Sequence, residues 1–397
     1  NKQLAAAGIG TRVKVDVHES NAKGYDADAL DLLKAFAVGK GPDFYVAAHE
    51  WVGEFAAAGY AMNMEEHIEA YPEYYADVVP VLWESVKHKG ERYAIPQDTE
   101  VRMFFYNKNM LRKIGKSEAF IEGLPAKVEG GQFTLWDLSK LAKEVVDKGA
   151  ARYGIIHRPN VGPDYLMAFL TFGMTFQDPG TGKLRIDKKA LEGALEWFAW
   201  NVDNGVTPKN NTAMSWDAVN KAWYGEEAFS FMYGVWNIGS HQIRNGWPNN
   251  AEGYFEKGGF LLTPVIEKGG KPLTLSHPIV YVVNPDSPHK NLAALLVAIA
   301  SAPYFNTQHA VGSFHVAISH GQASMPAYKN HWALSAATPF LKYTTFMPNH
   351  AKFARYNAIL YKGLQGVETG RLTADEAVDF VVDEMNSDLG DDVIIVD

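Results

Sequence analysis

The sequence predicts an α/β fold. Three observations carry that prediction. Short apolar runs of strand length alternate with longer stretches of helical apolar spacing, and glycine-rich punctuation separates them. The length, 397 residues, suits two or three domains of about 100–200 residues each. Alternating units of this kind place helices on both faces of a sheet.

The elements follow in order. Asn1–Ala7 reads as the end of a helix, broken by Gly8-Ile9-Gly10, and Val13–Val17 alternates as a strand. A domain seldom begins with half a helix, so a first strand, and any export segment, are expected upstream of Asn1. Asp26–Ala37 has helical spacing through Ala29, Leu30, Leu33 and Phe36. Asp43–Ala48 is a short apolar run, as a buried parallel strand would be. Trp51–Ala58 is a helix stopped by Gly59, and Val101–Tyr106 is a strong strand. Thr134 caps a helix over Leu135–Lys148 that ends at Gly149. Asp187–Asn204, ended by Gly205, and Trp216–Trp223 are further helices. Ala228–Met232, Gly259–Pro264 and Ile279–Val283 are strands, and the tail from Pro348 is helical in two or three pieces. Strand-rich stretches recur at both ends and in the middle, so the chain does not divide into two consecutive halves.

Composition narrows function. Hydrophobic residues make up 47% and charged residues 21%, ordinary globular usage. The longest apolar stretch, Leu292–Ala302, is shorter than the ~18 residues of a membrane helix and reads as a buried helix face. A net charge of −9 disfavours nucleic acid as a partner, because phosphate binding demands a basic surface. With no cysteine, disulfides, thiolate metal sites and cysteine nucleophiles are excluded.

Catalytic and cofactor motifs are missing as well. His49-Glu50-Trp51-Val52-Gly53 begins like a zinc-protease helix but lacks the second His one turn on, and no other His spacing suits a metal. Gly8-Ile9-Gly10 and Gly180-Thr181-Gly182-Lys183 fall short of dinucleotide and phosphate loops. No nucleophile elbow occurs. We therefore expect no catalytic residue, no metal and no cofactor, although a carboxylate pair such as Glu50 and Glu100 leaves a glycoside-acting enzyme as an alternative.

Four stretches carry a resemblance: AFAVGKGPDFYVAAHEW from Ala35 to Trp51; GERYAIP from Gly90 to Pro96 followed by FFYNK from Phe104 to Lys108; EAFSFMYGVW from Glu227 to Trp236; and Met347-Pro348-Asn349 followed by ETGRLTADEA from Glu368 to Ala377. In this order they resemble the carbohydrate solute-binding proteins of bacterial ABC importers, the maltose-binding type, across nearly all of the chain. The resemblance implies a periplasmic-binding-protein-like fold: two α/β lobes, a hinge, and a ligand cleft between the lobes. It implies an N-terminal lobe of residues 1–100 with 264–312 and a C-terminal lobe of 101–263 with 313–397. It implies a sugar ligand, a membrane permease as partner, a monomer, and a periplasmic or extracytoplasmic location. Two departures stand out: the family's first strand is expected before Asn1 and so does not appear in the sequence, and Leu275-Ser276-His277-Pro278 occurs where many relatives carry Gly-Gly.

A sugar needs paired donors and acceptors for its hydroxyls and flat rings for its C–H faces. In open α/β sheets such groups gather beyond the carboxyl ends of strands. His49-Glu50-Trp51 follows one predicted strand; the resemblance makes Glu50 a hydroxyl acceptor and Trp51 a wall, with core anchoring of Trp51 as the alternative. Asp98 and Glu100 lie between Pro96 and the next strand; the resemblance puts Glu100 in the cleft, and surface ion pairs with Arg92 or Arg102 are the alternative. Trp236 and Asn237 follow Gly234, which permits close backbone approach or positive φ; the resemblance makes Trp236 a stacking platform, with packing beneath the next helix as the alternative. Tyr165, Arg355-Tyr356 and Ser276-His277 complete the candidates, on the positions the resemblance implies. A binding protein for a polyamine is a further alternative.

Overall fold

The computed structural model describes residues 1–6, 8, 10, 12–18 and 25–397. Two compact units emerge, Asn1–Gly41 and Pro42–Asp397. The first holds helices Lys2–Ala6 and Tyr25–Ala37, the latter as its spacing predicts. Ala7 and Ile9 lie outside the described residues. Val13–Val17, expected as a strand, has no regular structure. Within this unit no described strand runs beside it, and an unpaired strand leaves its amides to solvent. The Asn1 side chain instead brackets the Val13 amide and carbonyl at 2.8 Å each.

Two sheets organise the second unit. The smaller has Ile279–Val283 at its centre, antiparallel to both Phe44–Ala48 and Ile95–Pro96. The Asp43–Ala48 segment is thus a strand as expected, but an antiparallel one. An apolar run reports burial rather than direction, because direction is set by a partner more than 200 residues away. Helix Lys290–Ser301 buries Ala293, Ala294, Val297 and Ala298 in this part of the core, as the Leu292–Ala302 pattern predicts.

The larger sheet runs Tyr153–Ile156, Ala228–Gly234, Arg102–Asn107, Gly258–Leu261. The first pair is parallel and the other two are antiparallel. All six residues of Arg102–Asn107 are buried, so this strand has cover on both faces and reads as continuous hydrophobicity rather than alternation. Helix Leu135–Asp147 begins with the expected Thr134 cap, reinforced by Asp137 as a reciprocal box. It stops at Gly149 in the left-handed region, and helix Lys188–Asp203 likewise stops at Gly205. The predicted strand Gly259–Pro264 is shorter, Gly258–Leu261. The tail forms helices Phe353–Glu368 and Ala374–Leu389, then a strand, Val393–Val396, that the sequence reading misses; it pairs in parallel with Leu184–Asp187.

Two connections join the two sheets. Residues 97–101 lead from Pro96 to Arg102, with a bridge from Thr99 to Val316. Residues 262–278 return, and within them Thr274–Ser276 pairs in parallel with Thr344–Phe346. From Val283 the chain runs through helices Lys290–Ser301 and Pro303–Ser313 to Val316, which bridges Thr99 on the first connection.

A buried ion pair ties the tail helix to the larger sheet. His157 Nε2 lies 2.6 Å from Glu368 Oε1, and His157 Nδ1 lies 2.8 Å from the Arg158 carbonyl, so both ring nitrogens serve as donors. Burial alone would depress His157, but the Glu368 carboxylate and the carbonyl outweigh it and hold the group above its ordinary value. A raised histidine stabilises the fold fully below the unfolded pKa of ~6.5 and loses that contribution as pH climbs through the folded value. The stability advantage of the protein over His157→Gln should therefore shrink as pH rises from 6.5 in chemical denaturation. An advantage that stays constant, or grows, with pH would contradict the imidazolium assignment.

Candidate functional site

Register brings the candidate residues together. Ala48 pairs with Ile279, so the turn after Phe44–Ala48 meets the approach to Ile279–Val283; His49 N–H donates to the Pro278 carbonyl at 3.1 Å. Pro96 pairs with Val280, which brings Asp98 to the same corner, where its carboxylate accepts from the Ile279 amide at 3.3 Å. On the larger sheet Arg102 pairs with Gly234, so the start of one strand and the end of its neighbour meet. Tyr153–Ile156 runs parallel to Ala228–Gly234 and delivers His157 and Arg158 to that edge.

The corners meet in one buried cluster. Glu50 accepts from or donates to His277 Nε2 at 3.0 Å and lies 3.2 Å from His49 Nδ1. His277 Nδ1 is 3.8 Å from Glu100, and Glu100 pairs with Arg102. Arg102 also pairs with Asp164, which Arg158 contacts at 3.1 Å. His315 Nε2 lies 3.9 Å from Glu100. Apart from Arg158 and His315, each of these side chains is no more than 8% exposed.

Aromatic rings flank the charges. The Arg102 guanidinium lies over the Trp236 ring at 5.0 Å, and the His315 imidazole is stacked on that ring at 5.3 Å and 12°. Tyr233 meets Trp236 edge-on, and Trp216 lies beside Tyr233 with Arg158 over its own face. Gly234 is required by close approach, not by positive φ: a Cβ there would fall inside the Trp236 ring.

Burial governs protonation. It raises Glu50 to about 8, against opposing pulls that include Arg102 and Arg158. Glu100 is raised for the same reason, with Arg102 opposing and Asp164 and Asp98 adding to the rise. Burial drives His49 and His277 well below their usual range, so both rings are neutral. A buried set of this kind accepts and donates to hydroxyls without presenting a large uncompensated charge. Two open surface hollows of about 560 Å³ lie elsewhere, near Lys116 and Glu144 and near Trp83 and Arg92. At the cluster itself the side chains meet one another directly.

Of the sequence-predicted residues, the structure gathers His49, Glu50, Glu100, His277 and Trp236 in the cluster. Ser276 lies beside it, with its hydroxyl 2.5 Å from Thr99 and 3.3 Å from the Glu100 amide. Asp98 is adjacent and bonds His309 at 2.8 Å. Of the two ion-pair alternatives, Glu100–Arg102 exists but is buried, while Arg92 pairs with Glu65. Five candidates make their recorded contacts outside the cluster, and of these Trp51 stacks on Phe55 at 6.5 Å. Tyr165 is wholly buried and bonds Asn357 at 2.5 Å. Asn237 accepts from Trp223 and Tyr224. Tyr356 is wholly buried and donates to the Arg185 carbonyl at 2.6 Å, whereas Arg355 is exposed and pairs with Asp388. Sequence reasoning misses Arg102, Arg158, Asp164, Tyr233, Trp216 and His315. Asp164 was one residue away from the Tyr165 candidate, and Arg102 is a charge opening a strongly apolar strand.

Two sheets joined by two connections, with facing strand ends meeting in a polar and aromatic cluster, define a two-lobe binding-protein fold. The chain belongs to the bacterial extracellular solute-binding protein family, whose sequence profile matches residues 4–303. A curated relative, the maltotriose-binding protein of Pyrococcus abyssi, is 25% identical over 216 residues. That alignment covers 54% of this chain and 42% of the relative, so the chain spans less than half of that protein's length. Among solved structures, maltose-bound MalE3 of T. maritima superposes with a TM-score of 0.74 at 18% identity, over 91% of this chain and 88% of that one. Maltotriose-bound MalE of Bdellovibrio bacteriovorus gives 0.74 at 17%, over 93% and 90%. The α-D-tagatose-bound solute-binding protein of Thermotoga lettingae gives 0.74 at 21%, over 92% and 89%. At these identities the likeness is one of fold. No helix among the described residues is long and apolar enough to cross a membrane.

Proposed function

We propose that this chain is the solute-binding component of an ABC importer, which captures a di- or oligosaccharide between its lobes outside the cytoplasmic membrane and hands it unchanged to a membrane permease. The observation that supports this most is the pairing of buried carboxylates and imidazoles with the Trp236 indole at facing strand ends. Hydroxyls want the first group and sugar C–H faces the second. The stacked His315 ring occupies the kind of position on Trp236 that a pyranose face would take. The ligands named for the relatives, maltose, maltotriose and tagatose, accord with this reading.

The site residues we assign are Glu50, Glu100, Ser276, His277 and Trp236 from the sequence, with Arg102, Asp164 and His315 added. A lobe boundary near residue 100 accords with the packing, since Met64, Ile95, Val283 and Val297 share one apolar cluster and Phe104, Leu138, Phe198 and Leu364 another, whereas Leu275, in the 264–312 stretch, packs with the second.

Thermal unfolding against mono-, di- and trisaccharides, polyols, polyamines and small anions tests the proposal. Ligand at ~1,000 times its dissociation constant adds ~4 kcal/mol of stability, a clear shift. The expected result is stabilisation by a di- or oligosaccharide that is recovered unchanged. Turnover of the sugar would make the chain an enzyme. Stabilisation by a polyamine alone would keep the carrier function and replace the ligand.

A further inference from the structure

We propose that His49, Glu50 and His277 form a binding site for a divalent transition-metal ion of the zinc class. The proposal goes beyond sugar capture and does not depend on it.

The argument starts from a tautomer. His49 Nε2 lies 3.1 Å from the Met347 carbonyl, a group that can only accept, so the His49 proton sits on Nε2. That leaves the Nδ1 lone pair directed inward, and Nδ1 is 3.2 Å from Glu50 Oε2. A nitrogen lone pair therefore faces a carboxylate oxygen. Neither His49 Nδ1 nor Glu50 Oε2 has a hydrogen-bond partner, and both side chains are at most 3% exposed. A lone pair and a carboxyl oxygen facing each other in a dry interior share either a proton or a metal ion.

His277 supplies the third ligand. Its Nε2 lies 3.0 Å from Glu50 as well. One ligand atom from each of the three residues lies within 4.8 Å of the others, and among the described residues no other group of three or more meets that test. Two ligands ~2.1 Å from a tetrahedral zinc ion stand about 3.4 Å apart, close to the spacing seen here. The donor set, two imidazoles and one carboxylate, is that of metal sites that keep a further position for water or a substrate oxygen. The Met347 carbonyl acts as the outer partner that fixes the ring of a ligating histidine. The set is invisible to local motif reading because His277 is 227 residues from Glu50.

The test uses the purified full chain, stripped with chelator and free of sugar. Zinc(II) is titrated by calorimetry, and cobalt(II) is followed by the intense visible absorption of low-coordinate cobalt. The expected result is stoichiometric binding that falls at least ~10-fold in Glu50→Gln and in His277→Gln. His320→Gln, at an exposed position outside the cluster, should bind as the parent does. Circular dichroism identifies any variant that fails to fold, in which case His49→Gln replaces it. Failure of the parent to bind either metal would overturn the site and indicate a proton between Glu50 and His49. Binding undiminished in all the cluster variants would place the metal elsewhere and overturn it equally. Neither negative result bears on the sugar panel, which is run in chelator.

Discussion

Replacing Trp236 with Ala should weaken sugar binding by about 30-fold or more, the equivalent of ~2 kcal/mol. Trp236 stands where the larger sheet's strand ends meet, held by the Gly234 close approach and flanked by Arg102 and His315. Its indole is a broad flat apolar surface against the charged cluster, and truncation removes both area and the ring's specific geometry. Trp236→Phe keeps a flat face and should retain most of the affinity. Calorimetric titration with the sugar found in the thermal panel reads the difference. Equal affinities for Trp236→Ala and the parent would move the binding site away from this cluster. Anion binding, if the panel finds any, should barely respond, because an anion seeks guanidinium or amide donors rather than a ring face.

The second large effect is on stability. Arg102→Met should destabilise the fold by on the order of 3 kcal/mol. The Arg102 side chain is 3% exposed and neutralises Glu100 and Asp164 together. Removing it leaves Glu100 buried with only the distant imidazoles of His277 and His315, while Asp164 keeps Arg158. Trp236 also loses the guanidinium over its ring. Adding Glu100→Gln to Arg102→Met should recover part of the loss, since the orphaned carboxyl is then a neutral amide. Urea denaturation of the four proteins in this cycle measures the coupling. Additive losses with no recovery would show that Arg102 acts through packing of its stem rather than through its charge.

Legibility varied from element to element. Helix Leu135–Asp147 was readable because its cap, its apolar spacing and its terminal glycine all lie within one short segment. The same holds for Lys188–Asp203 with Asp187 and Gly205. Val393–Val396 could not be distinguished from a frayed helix end, because its only support is a strand 209 residues earlier. Val13–Val17 shows the converse: perfect alternation makes no strand without a neighbour to pair with. In the candidate site, Glu50 and Trp236 were legible because each follows a strand within a recognisable stretch. Arg102 and His315 were not, because a charge gains meaning there only from the carboxylates it meets.

Length, alternation and the ordered motif stretches by themselves determined the α/β class and the family, since these are properties of local spacing and composition. Tertiary structure alone decided strand direction and the meeting of the two sets of strand ends, which brings Asp164 rather than its neighbour Tyr165 against Arg102. The physical reason is range. Propensity, capping and hydrophobic period act over a few residues, whereas a binding cluster is assembled by register between strands far apart in the chain. That register is chosen by the burial of whole sheet faces.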